Sequence, residues 1–272
     1  MDVQQVGGAL GAVVTDIKLS ALSDGELTDI RRELAKHQVL IFRDQEMSED
    51  QQLELTGRFG QVFENAALRT PVMTIENSAD NPPANDEWHA DTSFLENPPA
   101  IGILHAIVVP PYGGDTIWVS LRAVYAELSR PLRDLAAGLR AKHIFSAASS
   151  ESEENHAGHD YKQDVFEFVH PLVIQAPGTD CPSLYLSPKY LDLLVDVSDE
   201  ESHALLSLFN SFLDRPMFQF RWKWTANDIA IWDERSVNHR GVGDHFFAGP
   251  QYRLMHQSLV IAEPPKGVSA TA

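Results

Sequence analysis

Two periodicities run through the chain. Three stretches repeat apolar residues at helical spacing, and each begins with a serine followed three residues later by a glutamate or glutamine. Ser23 and Glu26 lead into Leu27, Ile30 and Leu34; Ser48 and Gln51 open a stretch ending near Phe59; Ser198 and Glu201 precede Leu205, Leu208, Phe209 and Phe212. The serine hydroxyl in this pattern accepts from the third helical N–H while the acid or amide reaches back to the serine's own N–H, so each pair predicts a helix start. Residues 120–139 predict two more helices, the second with Leu132, Leu135 and Leu139 in register.

Elsewhere the apolar residues alternate or run together over strand lengths. Phe218, Phe220, Trp222 and Trp224 alternate with Gln219, Arg221 and Lys223, the period of a half-buried strand. Strands are also predicted over 7–19, 39–42, 100–109, 115–119, 170–174, 183–186, 228–232 and 251–262. Residues 76–86, polar with two adjacent prolines, predict a loop, as does the acidic, aperiodic stretch 146–164. No repeat or linker divides the chain. Strands scattered along it with helices inserted predict one domain over 1–272, mainly β with flanking helices, whose core is a double-stranded β-helix or jelly roll. Inward-facing side chains of several strands converge at one open end of such a fold, a place suited to a metal.

Composition narrows the partners. With 272 residues, 43% of them hydrophobic, the chain can bury a substantial core. Its formal net charge of −18, with no dense Lys/Arg run, repels phosphate backbones and anionic membrane surfaces. A small-molecule substrate is therefore expected, with no nucleic acid and no membrane. The lone Cys181 excludes an intramolecular disulfide. The start of the chain has neither a basic nor an apolar leader segment, which predicts a cytoplasmic protein.

Candidate chemistry centres on 85–94 (NDEWHADTSF), which holds His89 and Asp91 at spacing i, i+2. In an extended strand these side chains share one face, and an imidazole with a carboxylate supplies two of the three ligands of a non-haem iron(II) facial triad. Alone, such a pair is weak evidence, because most His and Asp residues are solvated. His239, after the strand 228–232 and just before Gly241, is a candidate third ligand; taken singly it is more readily a histidine capping a turn. Arg253 shares one face of the strand 251–262 with Met255, Gln257 and Leu259. A guanidinium entering a core needs a partner, either a bound ligand's carboxylate or one of the chain's many acidic residues. Thr116 could donate its hydroxyl to the same carboxylate, or serve only as a strand former.

Taken in order, W-H-A-D-T-S-F, G-G-D-T, W-D-x-x-x-x-x-H and Y-R-L-M-H resemble the taurine dioxygenase family of iron(II)/2-oxoglutarate-dependent oxygenases. The N-terminal G-A-x-x-x-D-I and V-L-I-F-R elements fit as well, so the likeness covers most of the chain. It implies that His89, Asp91 and His239 bind Fe(II) and that Arg253 with Thr116 holds the distal carboxylate of 2-oxoglutarate. It further implies that Trp232 lies near the metal and that Asn85 faces the substrate. O2 and 2-oxoglutarate would be cosubstrates, yielding succinate and CO2 as a C–H bond of a small organic molecule is hydroxylated. An aspartate at 91 argues against halogenation, because related halogenases leave that ligand position to halide. Hydroxylation next to a heteroatom would instead cleave a sulfonate, alkyl sulfate or aryloxyalkanoate. Sulfonate-processing relatives carry a second arginine four residues after the first; here Gln257 occupies that position and puts a sulfonate or sulfate held by such an arginine in doubt, leaving Gln257 a polar substrate contact or a packing residue. Segments 64–86 and 146–164 are expected to act as lids, and a homodimer or homotetramer is expected.

Two other classes compete. A zinc hydrolase could use the same three ligands with water in the fourth position, but it leaves Arg253 and Thr116 unexplained. A non-catalytic jelly-roll binding protein is disfavoured by the intact ligand set. His156, His159 and Asp160 in the acidic stretch are expected to be solvated or part of a lid, and His105 and His256 to be core histidines.

Overall fold

All three predicted helix starts form as capping boxes. Ser23, Ser48 and Ser198 accept from the backbone N–H of Glu26, Gln51 and Glu201, and those side chains return the bond. They open α1 (Asp24–His37), α2 (Glu49–Phe59) and, later in the chain, α5 (Asp199–Leu213), with α3 (Leu121–Glu127) and α4 (Arg130–Ala137) between. The computed structural model describes residues 1–64, 70–146, 165–176 and 178–268. Its strands are β1 (Asp2–Gln5), β2 (Ala12–Thr15), β3 (Val39–Phe42), β4 (Gln61–Val62), β5 (Val72–Asn77), β6 (Pro99–Val108), β7 (Thr116–Ser120) and β8 (Arg140–Ser146). There follow β9 (Val165–Pro171), β10 (Val173–Gln175), β11 (Pro182–Leu184), β12 (Leu191–Leu194), β13 (Gln219–Trp222), β14 (Ile229–Asp233), β15 (Val237–Gly241) and β16 (Arg253–Ile261).

The wide sheet runs β1-β2-β3-β14-β6-β16-β4, with β5 also paired to β16. Strand period assigns its two faces. Leu40, Phe42, Ile103, Ile229 and Ile231 point outward and are covered by Ile30 and Leu34 of α1 and Leu55 and Phe59 of α2. Val39, Ile41, Leu104, Ala230, Trp232 and Met255 point inward, against Trp118, Phe220, Trp222 and Trp224 from the side of the second sheet, β13-β7-β15. Two sheets closed over one aromatic core form the jelly roll that the pattern predicts. Helices α3 and α5 cover its other side with Leu121, Val124, Phe209 and Phe212.

Several elements differ from expectation. The predicted strand 7–19 shortens to β2, because Gly11, at φ +96°, breaks it beside the Phe220 ring. The segment 64–86 is not loop throughout: β5 occupies part of it, and the described loop continues from residue 78. The aromatic stretch 218–224 is strand only over β13, since Pro216–Phe218 forms a 3-10 turn. Among the described residues, no helix is long and apolar enough to cross a membrane. Residues 147–164, including His156, His159 and Asp160, lie outside the described residues.

Two buried histidines from the β8–β9 hairpin pin the turn that follows Asp91. His143 Nδ1 lies 3.0 Å from Ser93 Oγ, and His170 Nε2 donates to the carbonyls of Ser93 and Leu95, both at 3.0 Å. Burial pushes the His143 imidazole down to about 3 and that of His170 to about 4. In the unfolded chain both titrate near 6.5, so over the interval below that value the unfolded state binds the extra protons. The stability they contribute is complete above pH ~6.5 and is lost as pH falls toward the folded values, by up to about 1.4 kcal/mol per histidine per unit. Urea unfolding midpoints of the metal-free protein should therefore drop steadily between about pH 6.5 and 4.5; a flat profile there would contradict this account.

Candidate active site

His89 and His239 face each other across an isolated antiparallel bridge. The His89 N–H donates to the His239 carbonyl at 3.1 Å, and the His239 N–H returns the bond at 2.9 Å. Their rings lie 4.3 Å apart. His239 sits in the middle of β15, paired with Trp118 on β7, and not at a strand end as its proximity to Gly241 suggests. The H-x-D motif is likewise not a strand: a single bridge residue leads straight into a turn that starts at Asp91. That turn is strained. Thr92 takes φ +45°, in the left-handed region that a β-branched residue rarely adopts, and its buried Oγ1 has no hydrogen-bond partner.

Asp91 Oδ1 lies 3.6 Å from His89 Nε2 and 3.9 Å from His239 Nε2. The ligand atoms of the three residues all fall within 4.8 Å of one another, close enough for one ion bound at about 2 Å per donor to draw them in. The donor chemistry also fits. Burial pushes both imidazoles down to about 3, so each is neutral with a lone pair available. His89 Nδ1 is 2.8 Å from the Glu87 carbonyl, which accepts its proton and leaves Nε2 facing Asp91.

Other contacts orient the carboxylate. Gln257 Nε2 donates to Asp91 Oδ2 at 2.7 Å, turning Oδ1 toward the histidines. The Asp91 N–H donates to Glu234 Oε2 at 3.2 Å, and Trp232 Nε1 donates to Glu234 Oε1 at 2.7 Å. Burial and the nearby Asp91 charge hold the Glu234 carboxyl well above the usual carboxylate range. Trp232 is fully buried, with its ring 5.0 Å from that of His239. It fits there because Gly102 lies beneath it: a Cβ at that position would sit 2.4 Å from the indole carbons.

Arg253 enters the same cavity from β16. It is 7% exposed, its Nε has no hydrogen-bond partner, and among the described residues no carboxylate lies within ion-pair distance of it. Burial lowers its guanidinium to about 10, with Asp115 partly offsetting that. Of the two partners expected for Arg253, none of the described acidic residues supplies one within ion-pair distance. Thr116 lines the cavity beside it and accepts from Trp224 Nε1 at 3.0 Å, which leaves its own O–H free to donate. Gly114, at φ +71°, opens the space above, since a Cβ there would meet Arg253 Cδ at 3.2 Å and His245 Nδ1 at 3.4 Å. His245 is buried beside it, with Val242's backbone and Arg253 among its polar neighbours. Asn85 lines the cavity mouth and accepts from the Gly241 N–H through its carbonyl.

Sequence reasoning missed Glu234 and His245. Neither stands in a spacing that marks it, and only the fold brings them to the cavity. His105 is buried in β6, and His256 faces Glu49 at 3.5 Å on the outer face; neither lines the cavity.

The profile of the family described as taurine catabolism dioxygenase TauD, TfdA matches residues 2–259. The chain belongs to that family. A sulfate ester dioxygenase dependent on alpha-ketoglutarate from Pseudomonas putida is 31% identical over 98% of this chain and 92% of its own length. A (S)-phenoxypropionate/alpha-ketoglutarate dioxygenase from Sphingobium herbicidovorans is 27% identical over 97% and 96%. Among solved structures, a putative taurine dioxygenase from Burkholderia xenovorans superposes with TM-score 0.86 and 31% identity, covering 99% of this chain and 96% of that one. AAD-2 in complex with Mn(II) and N-oxalylglycine superposes with TM-score 0.81 at 27% identity, covering 97% and 98%. This TauD, TfdA family member is thus an iron(II)- and 2-oxoglutarate-dependent dioxygenase with O2 as cosubstrate, acting on a small molecule. Membership sets aside the zinc hydrolase and the non-catalytic binding protein.

The Gln257 contact makes a testable demand. Gln257→Leu should weaken Fe(II) binding by roughly 10- to 100-fold, as loss of a group that orients a metal ligand does. Anaerobic equilibrium dialysis against Fe(II) measures this, and unchanged affinity would show that the contact does not serve the metal.

Proposed function

We propose that His89, Asp91 and His239 hold the iron, and that Arg253 with Thr116 holds the distal carboxylate of 2-oxoglutarate. The observation that carries this reading is Arg253: a buried guanidinium, unpaired among the described residues, sharing one cavity with two neutral imidazoles and a carboxylate. Together the bound iron and 2-oxoglutarate supply the oxidising chemistry, in which O2 is consumed, succinate and CO2 are released, and a substrate C–H bond becomes C–OH. The protein's own groups bind and orient. Glu87 fixes the His89 tautomer through its carbonyl, Gln257 steers the Asp91 carboxylate, and Trp232 backs His239. Ile75 and Leu104 give the cavity apolar walls that limit water around the reacting groups.

Asn85, at the mouth, faces the substrate in this proposal. Trp232 acts from behind the ligands, and Gln257 acts through Asp91. We read residues 1–272 as one catalytic domain, cytoplasmic, with the described loop 78–86 as part of the expected lid 64–86 and assembly as a homodimer or homotetramer that sedimentation would read. A second reading follows from relatives named for sulfate esters and phenoxypropionate: hydroxylation of the carbon next to oxygen or sulfur, whose product collapses with bond cleavage.

Adding Fe(II) and 2-oxoglutarate anaerobically should produce a visible charge-transfer band; folded protein that gives none would sink the reading. Arg253→Ala should raise the 2-oxoglutarate concentration that half-saturates this band by about ten-fold or more. Its iron affinity should stay near that of the unaltered protein. Equal loss of both would make the arginine structural.

A further inference from the structure

A histidine that binds a metal presents one ring nitrogen to the ion and keeps a proton on the other, and the acceptor of that proton decides which is which. For His89 the acceptor is the Glu87 carbonyl, 2.8 Å from Nδ1. His239 has no such bond: its Nδ1 is buried and, among the described residues, without a hydrogen-bond partner. One carboxylate of the described residues lies within ion-pair distance of that nitrogen, Glu234 through Oε2 at 3.9 Å. The other ring nitrogen, Nε2, faces Asp91 Oδ1 at 3.9 Å. The imidazole is therefore set between two carboxyl groups, a candidate ligand on one side and Glu234 on the other.

Glu234 is built firmly into that place. It is buried, and its backbone N–H donates to the Ala100 carbonyl at 3.0 Å, which fixes it to β6. Its Oε1 accepts from Trp232 Nε1 at 2.7 Å, and its Oε2 accepts from the Asp91 N–H at 3.2 Å. Gly102 keeps the space clear, since a Cβ there would sit 2.9 Å from Oε1. Two donors from different segments thus hold the carboxyl group, and the oxygen that takes the Asp91 N–H is the one that lies toward His239.

We propose that Glu234 is the positioning residue for two of the three ligands. Its Oε2 accepts the His239 Nδ1 proton and leaves Nε2 as the lone-pair donor, while the same oxygen holds the backbone of Asp91. This rests on the assignment of His239 as a metal ligand and deepens it by stating which nitrogen binds and what holds it there. At 3.9 Å the contact is longer than a hydrogen bond, and metal loading is what completes it. A carboxylate on the far nitrogen makes the imidazole a better donor and fixes its rotation, so metal affinity depends on a residue that is not itself a ligand. Glutamine is no substitute, because its single oxygen cannot serve both the indole and the side facing Asp91 and His239.

The test adds Zn(II) to the full chain, isotope-labelled at the histidine nitrogens, and follows the imidazole protons by nuclear magnetic resonance. In the loaded protein His89 and His239 should both carry their proton on Nδ1. The His239 proton should lie further downfield than that of His89, because a carboxylate is a stronger acceptor than a carbonyl. Glu234→Gln should move the His239 proton upfield and leave that of His89 in place. The same variant should weaken Fe(II) binding, measured by anaerobic dialysis, by roughly 10- to 100-fold. The comparison of the two histidines in the unaltered protein needs no variant, so it decides the matter even if Glu234→Gln does not fold. A His239 proton on Nε2, or one no further downfield than that of His89, overturns the proposal. So does a folded Glu234→Gln that keeps the His239 proton in place or binds Fe(II) unchanged, which would make Glu234 only a brace for Trp232. If Zn(II) moves the resonances of neither histidine, the ligand assignment beneath the proposal fails instead.

Discussion

The reciprocal backbone bridge between His89 and His239 is the constraint on which the site depends. The two residues lie far apart in sequence, and two N–H···O=C bonds place them directly opposite each other. Once that register is set, the spacing of the imidazoles is settled by backbone geometry and not by side-chain adjustment. A shift of one residue on either side would turn one ring away from the other, because adjacent side chains on an extended segment face opposite ways. The bridge extends the pairing of β15 with β7, so the site inherits the rigidity of the inner sheet.

Around that bridge each candidate ligand has a neighbour that holds it, one from its own segment and two from other strands. Glu87 meets His89 and Gln257 meets Asp91, while Trp232 lies against His239. On the far side of the cavity the order reverses: Arg253 is buried and, among the described residues, unpaired. His89 and Asp91 are thus held by internal hydrogen bonds, while the Arg253 end has hydrogen-bonding capacity left over. In the proposed assignment, that asymmetry would separate a place for an ion that must not move from a place for a cosubstrate that arrives and leaves in every cycle.

Much of this was legible in the amino-acid sequence, for identifiable reasons. Capping boxes and strand alternation are local, so α1, α2, α5, β3 and β14 follow from neighbouring residues alone. The placement of Arg253, Met255 and Gln257 on one inward face also follows from a period of two. β15 was harder, since Val237-Asn-His-Arg-Gly241 buries polar groups and its alternation carries no apolar signal. Which partner Gln257 finds was not readable at all, because Asp91 reaches it from another part of the fold. The same holds for Glu234 and His245, ordinary residues whose meaning comes only from what the fold sets beside them.

Thr92 shows what the arrangement costs. A left-handed β-branched residue with a buried, unbonded hydroxyl departs from favourable backbone and side-chain chemistry at once. It persists because the chain must reverse immediately after Asp91 to present that carboxylate to both histidines. A directed-evolution campaign for heat tolerance would therefore tend to converge here, since glycine or asparagine relieves the strain. The variants it rewarded would be sturdier proteins with a looser carboxylate, so thermal hardiness and metal retention should trade against each other at this one position.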